Sequence, residues 1–128
     1  MIEYLPSNDD VLALRTGGRL TKAELAEVTT RLEASLDARE QTHIFVEVVD
    51  FGGLEWDALP DYLPRAFAML GKLRRFGRVA IVSDAAWIRG MAKVESALLP
   101  YISYETFTPD QRDAALAWVE QGGEAPRA

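Results

Sequence analysis

Apolar residues recur along this chain in two rhythms. Residues 2–5, 11–16, 43–49, 79–82 and 102–107 hold short runs with a period of two or with no polar break, the spacing of strands. Residues 22–36, 61–73, 84–98 and 109–121 instead repeat apolar positions every three or four residues, the spacing of helices with one buried stripe. Val79-Ala80-Ile81-Val82 is charge-free, so this strand is expected in the middle of a partly parallel sheet, buried on both faces. It runs into Ser83-Asp84, a helix cap, and then into Ala85-Ala86-Trp87-Ile88. Open α/β sheets place their binding crevices at such carboxyl strand ends.

The punctuation between these runs supports the division. Pro6 to Asp10 is a turn-rich link of hairpin length, so the first two strands are expected to be antiparallel, with Gly17-Gly18 ending the second. Thr21-Lys22-Ala23-Glu24 forms a capping box ahead of the stripe Leu25, Val28, Leu32 and Leu36. Pro60 and Pro64 fit only at or before the first turn of the second helix, whose stripe is Leu63, Phe67, Leu70 and Leu73. Pro109 sits at the start of the last helix, and Gly122-Gly123 stops it. The expected fold is therefore α/β: one domain over 1–122, a mixed and mostly parallel sheet of about five strands with flanking helices, then a frayed tail over 123–128.

Composition narrows the chemistry. With no cysteine among the 128 residues, disulfides and thiolate nucleophiles are excluded. No apolar run approaches the roughly 20 residues that span a bilayer. The first residues show neither a basic nor an apolar leader region, so a cytoplasmic protein is expected. The net charge of −6 is uneven: residues 62–94 carry seven bases against Asp84, a local +6, and the remainder carries −12. The basic window suits anionic partners, or simply the solvated faces of two helices. Without a basic total charge or a nucleic-acid motif, it does not make a nucleic-acid-binding protein.

Catalytic candidates are few. His43 and Glu47 share a strand face, but two ligands fall short of a catalytic zinc site, and the single histidine reads as a strand-edge residue. No metal or cofactor is expected. Asp50, Asp57 and Asp84 offer a convergence of carboxylates at the sheet's carboxyl edge, without a partnered base. The expectation is a protein that is not an enzyme.

The most unusual stretch is Asp50-Phe51-Gly52-Gly53-Leu54-Glu55-Trp56-Asp57. Two glycines allow a tight turn or a close approach to a ligand, and the large apolar groups follow no period. It reads either as a binding loop or as a packed crossover loop covering the end of the core. Glu47 in mid-strand suggests that the Phe45, Glu47 and Val49 face is partly uncovered or reserved for a partner. That face and the opening strands, as an open edge or sheet face for a second chain, make a homodimer an expectation.

Several stretches together look like a known family. Gly18-Arg19-Leu20-Thr21, the run Arg78 to Trp87 (RVAIVSDAAW) and the run Glu105 to Val119 (ETFTPDQRDAALAWV) resemble the SpoIIAA-like proteins, relatives of the STAS domain, over roughly residues 2–120. The resemblance implies a small α/β domain sharing its fold with CRAL-TRIO lipid-binding domains. In anti-sigma-factor antagonists of this fold, a serine on the loop after the third strand is phosphorylated by a partner kinase. The matching loop here opens with Asp50 and holds no serine or threonine, so the phosphoserine switch is not expected.

Two functional expectations follow. The first is a non-enzymatic, cytosolic, STAS-like regulatory module that binds a protein partner through loop 50–57 and the start of the 84–98 helix. Its candidate residues are Asp50, Phe51, Gly52, Gly53, Trp56, Ser83, Asp84, Trp87 and Arg89. The second is a carrier or sensor of a small amphipathic anion in a CRAL-TRIO-like pocket. Peripheral membrane contact through the 84–98 helix is also open, although core packing explains the same stripe.

Overall fold

The computed structural model describes residues 1–54, 75–86 and 102–122, together with Pro64, Ile88, Gly90 and Lys93. The expected helix over 61–73 apart from Pro64, the 123–128 tail, Trp56, Trp87 and Arg89 lie outside the described residues.

Five strands form one sheet: β1 (Ile2–Tyr4), β2 (Val11–Leu20), β3 (Thr42–Leu54), β4 (Phe76–Ser83) and β5 (Ser103–Phe107). β1 is antiparallel to β2, and every later pairing is parallel. The mixed sheet expected from the opening hairpin and the apolar runs is thus present, with β4 internal between β3 and β5. Spatial order follows chain order throughout. Among the described strands the order has no point of reversal.

Helix α1 (Lys22–Ala38) begins at the expected capping box: the Thr21 hydroxyl accepts from the Glu24 amide at 3.2 Å, and the Glu24 carboxylate accepts from the Thr21 amide at 3.1 Å. Its apolar stripe turns inward, with Leu36 buried and Leu25, Val28 and Leu32 half-buried. The last helix, α2 (Arg112–Gln121), follows a 3-10 turn over Pro109–Gln111. Gly122 closes it in the left-handed region, φ 75°.

Parallel register assigns each helix to a face. Ala13, Phe45 and Ala80 are aligned neighbours on one face. They pack with Val82, Phe107 and the Ala115, Trp118 and Val119 side of α2 as the main core. α1 covers the other face beside β1 and β2, where the Arg31 guanidinium lies 3.8 Å over the Tyr4 ring.

This arrangement corrects the expectation for Phe45, Glu47 and Val49. α2 occupies that face, so Phe45 is 0% and Glu47 8% exposed, while Val49 alone remains 40% exposed. The mid-strand glutamate is tolerated because two arginines reach it. The homodimer expectation thereby loses this face and rests on the opening strands, where β1 stands at the edge of the sheet.

Candidate functional site at the carboxyl rim of the sheet

β2 and β3 outrun the rest of the sheet. The last β3–β4 pair is Val48 with Ser83, yet β3 continues to Leu54 and pairs with β2 as far as Leu20. A two-stranded parallel arm therefore projects from the carboxyl rim. This corrects two boundaries read from sequence: Gly17-Gly18 does not end β2, and residues 50–54 are strand, not loop.

Glycine makes this arm by omission of side chains. A Cβ on Gly17 would lie 2.6 Å from the Val49 carbonyl oxygen, and one on Gly52 would lie 3.1 Å from the Gly18 carbonyl carbon. At Gly17 the facing backbone is too close for any side chain, and at Gly52 a side chain would have to push the facing backbone aside. Between them, Gly17 pairs with Val49 and Gly18 with Phe51, so Asp50 is the extra residue of a bulge. Asp50 is the one non-glycine residue with positive φ among those described, at 49°, a conformation that aspartate tolerates better than most side chains. The bulge leaves Asp50 exposed, along with Gly18, Arg19 and Gly52.

Beside the arm, β4 ends at Ser83 and Asp84. Ser83 is 1% exposed, and its hydroxyl accepts from the Ala85 amide at 3.1 Å. It holds the turn while Asp84 is presented to solvent. Ala86, Ile88, Gly90 and Lys93 beyond it are helical, as the cap predicts. Of the nine site residues read from sequence, Asp50, Gly52 and Asp84 thus share an exposed rim and Ser83 supports it. Phe51 and Gly53 are placed in β3, with no side-chain description, and Trp56, Trp87 and Arg89 lie outside the described residues.

The root of the arm is fixed by an ion cluster that the sequence reading missed. Glu47 Oε1 accepts from Arg15 Nε at 2.8 Å and from Arg112 Nε at 2.9 Å. Glu3 lies 3.4 Å from Arg15. Burial alone would raise the Glu47 carboxyl, but the hydrogen bonds and charges of the two arginines outweigh it and hold the group below its ordinary value. The cluster ties β1, β2, β3 and α2 together just below the glycines. Its partners are 32 and 65 residues from Glu47, a separation that no local pattern reveals.

On the α1 face, a cavity of about 310 Å³ lies against β3, β4 and β5. Its lining among the described residues is apolar: Ile44, Val46, Val48, Val79, Ile81, Ile88 and neighbours, with Tyr104 at β5. No group of three or more histidine, aspartate or glutamate side chains that would hold a metal occurs among the described residues. No helix among them is long and apolar enough to cross a membrane.

Comparison with known proteins places this architecture. A family model described as SpoIIAA-like matches residues 11–120. The chain is similar to a crystal structure from Shewanella loihica, an uncharacterized protein of the DUF3478 family with a SpoIIAA-like fold. The two share 28% identity and a TM-score of 0.64, over 93% of this chain and 92% of that one. It also matches the Bacillus cell fate determinant SpoIIAA in its phosphorylated form at 12% identity and a TM-score of 0.52, over 83% of this chain and 92% of that one, a likeness of fold. No curated protein matches the chain.

Proposed function

The chain belongs to the SpoIIAA-like family, and on that premise we propose that it is a non-enzymatic, cytosolic regulatory module that binds a protein partner along its carboxyl rim. The observation that carries this reading is the β2–β3 arm. It runs from the last β3–β4 pair at Val48 to Leu54, tied at its root by the Glu47 cluster and exposed at Arg19, Asp50 and Gly52. An exposed strand pair with bulged backbone suits recognition of another chain better than it suits catalysis. Trp56, Trp87 and Arg89 belong to the same proposed surface by sequence position.

The Bacillus relative is known in a phosphorylated form. No serine or threonine occurs here between Asp50 and Ser83, and Ser83 is buried. The proposed module therefore works without a phosphoserine on that segment. The test is a photo-crosslinking residue placed in turn at Arg19, at Asp84 and at Asp9, which is exposed in the loop before β2 at the opposite edge of the sheet. The expected result is one crosslinked protein from both rim positions and none from Asp9. Equal capture at Asp9, or none at the rim, overturns the reading.

The apolar cavity favours a second reading, a carrier of a small amphipathic molecule with an aliphatic portion. Native mass spectrometry of freshly purified protein tests it. A discrete added mass that disappears on denaturation supports a carrier, and a clean apo mass counts against one.

A further inference from the structure

The opposite, amino edge of the sheet holds the chain's single histidine in an unusual setting. Thr42 pairs with Phe76 and Ile44 with Val79, so Gly77 and Arg78 stand against His43 alone. β4 is bulged there, and the bulge is filled by the imidazole. The Arg78 amide donates to His43 Nδ1 at 2.8 Å. Gly77 admits the ring, since a Cβ on it would lie 2.2 Å from the imidazole Cε1. The ring is 4% exposed.

Arg78 passes the connection onward. Its Nε and Nη2 both donate to the Val119 carbonyl oxygen, at 3.1 and 2.9 Å, in the last turn of α2. The same turn is fastened to the loop before β2, where the Ser7 hydroxyl donates to the Glu120 carboxylate at 2.6 Å. The His43 amide donates to the Asp10 carbonyl at 2.8 Å, closing the corner.

We propose that His43 is a proton-sensitive latch between β3, the bulge of β4 and the last turn of α2, released when Nδ1 gains a proton. Nδ1 is an acceptor in this structure. Once protonated, it faces the Arg78 N–H as a second donor, and the hydrogen bond is lost. The charged groups that act on it are Arg78 from β4 and Asp10 from the loop before β2. Burial, then the Arg78 charge, hold the imidazole below its ordinary value, against the weaker opposing pull of Asp10, whose carboxylate is 3.6 Å from Nε2.

A group lowered in the folded state gives stability that is complete above its unfolded value. That stability is lost as pH falls from about 6.5 toward the folded value. The latch is thus closed at neutral pH and opens in mild acid. It loosens the amino corner and leaves the carboxyl rim in place, so its failure and that of the partner surface are separable.

The test follows the His43 ring and the Arg78, Gly122 and Gly52 amides by NMR in the full chain between pH 7.5 and 5. The expected result is a ring titration below pH 6.5, with exchange protection of Arg78 and Gly122 falling alongside it by up to about tenfold per pH unit, and Gly52 unaffected. His43→Asn carries a non-titrating acceptor in place of Nδ1 and should flatten the Arg78 and Gly122 profiles. Asp10→Asn should move the ring and amide midpoints down together. An Arg78 amide that stays protected while the ring titrates overturns the latch, as does the same acid loss in His43→Asn. If His43→Asn does not fold, the paired wild-type and Asp10→Asn profiles decide the matter.

Discussion

The two ends of the sheet contrast in how they use glycine. At the amino edge, Gly77 makes room for the His43 ring, and the corner is closed by side chains from four segments. At the carboxyl rim, Gly17 and Gly52 make room for another backbone, and the result is an exposed arm. One end spends its side-chain contacts on holding the fold together, and the other leaves groups open. An exposed rim tolerates substitution without loss of stability in ways that a closed corner does not.

Substitutions at the two ends sharpen that contrast. The largest effect is expected from Gly77→Ala, where the new methyl displaces the imidazole and breaks the Arg78 bond. Overpacking and one lost buried hydrogen bond together cost roughly 3 kcal/mol, read as a fall in the urea midpoint. A midpoint within error of wild type would show that the corner is not closed. Glu47→Gln at the root of the arm comes next, at about 2 kcal/mol, discounted from a buried ion pair because both arginines remain partly solvated.

The same glutamate gives a pH dependence with a definite sign. Its folded-state value is depressed, so its stabilisation is complete above the ordinary carboxylate value and disappears as pH falls through the folded one. Stability curves of wild type and Glu47→Gln should therefore converge in acid and separate toward neutral pH. Parallel curves would mean that the cluster contributes nothing through charge.

At the rim itself the expected costs shrink. Asp50→Val places a β-branched side chain at φ 49° and should cost about 1–2 kcal/mol. Asp84→Lys should change stability by less than about 0.5 kcal/mol, as surface substitutions do, and yet abolish rim crosslinking of the proposed partner. A large stability loss at Asp84 would erase the distinction between the two ends.

Much of this fold was legible because it is written locally. The apolar run of β4, the Thr21–Glu24 capping box and Pro109 ahead of the last helix each need only a few neighbouring residues to be read. What escaped depends on distant partners. Gly17-Gly18 and Gly52-Gly53 look like strand breakers one at a time, and only their facing positions make them a strand pair. Glu47 looked like a mark of an open face because neither Arg15 nor Arg112 is near it in sequence. Residues 50–54 were read as a loop and are strand, since a bulged arm and a loop share the same composition.

The strand order carries one more consequence. Since β1 to β5 lie side by side in the order of their synthesis, each new strand meets its neighbour as soon as it leaves the ribosome. Among the described elements, the helix that covers the Phe45 and Glu47 face is the last one made. Until residues 112–119 emerge, the Phe45 face lacks Ala115, Trp118 and Val119, and Glu47 has Arg15 without Arg112. A ribosome stalled before Arg112 should therefore hold a chain that recruits chaperones, and one stalled well after Gly122 should not.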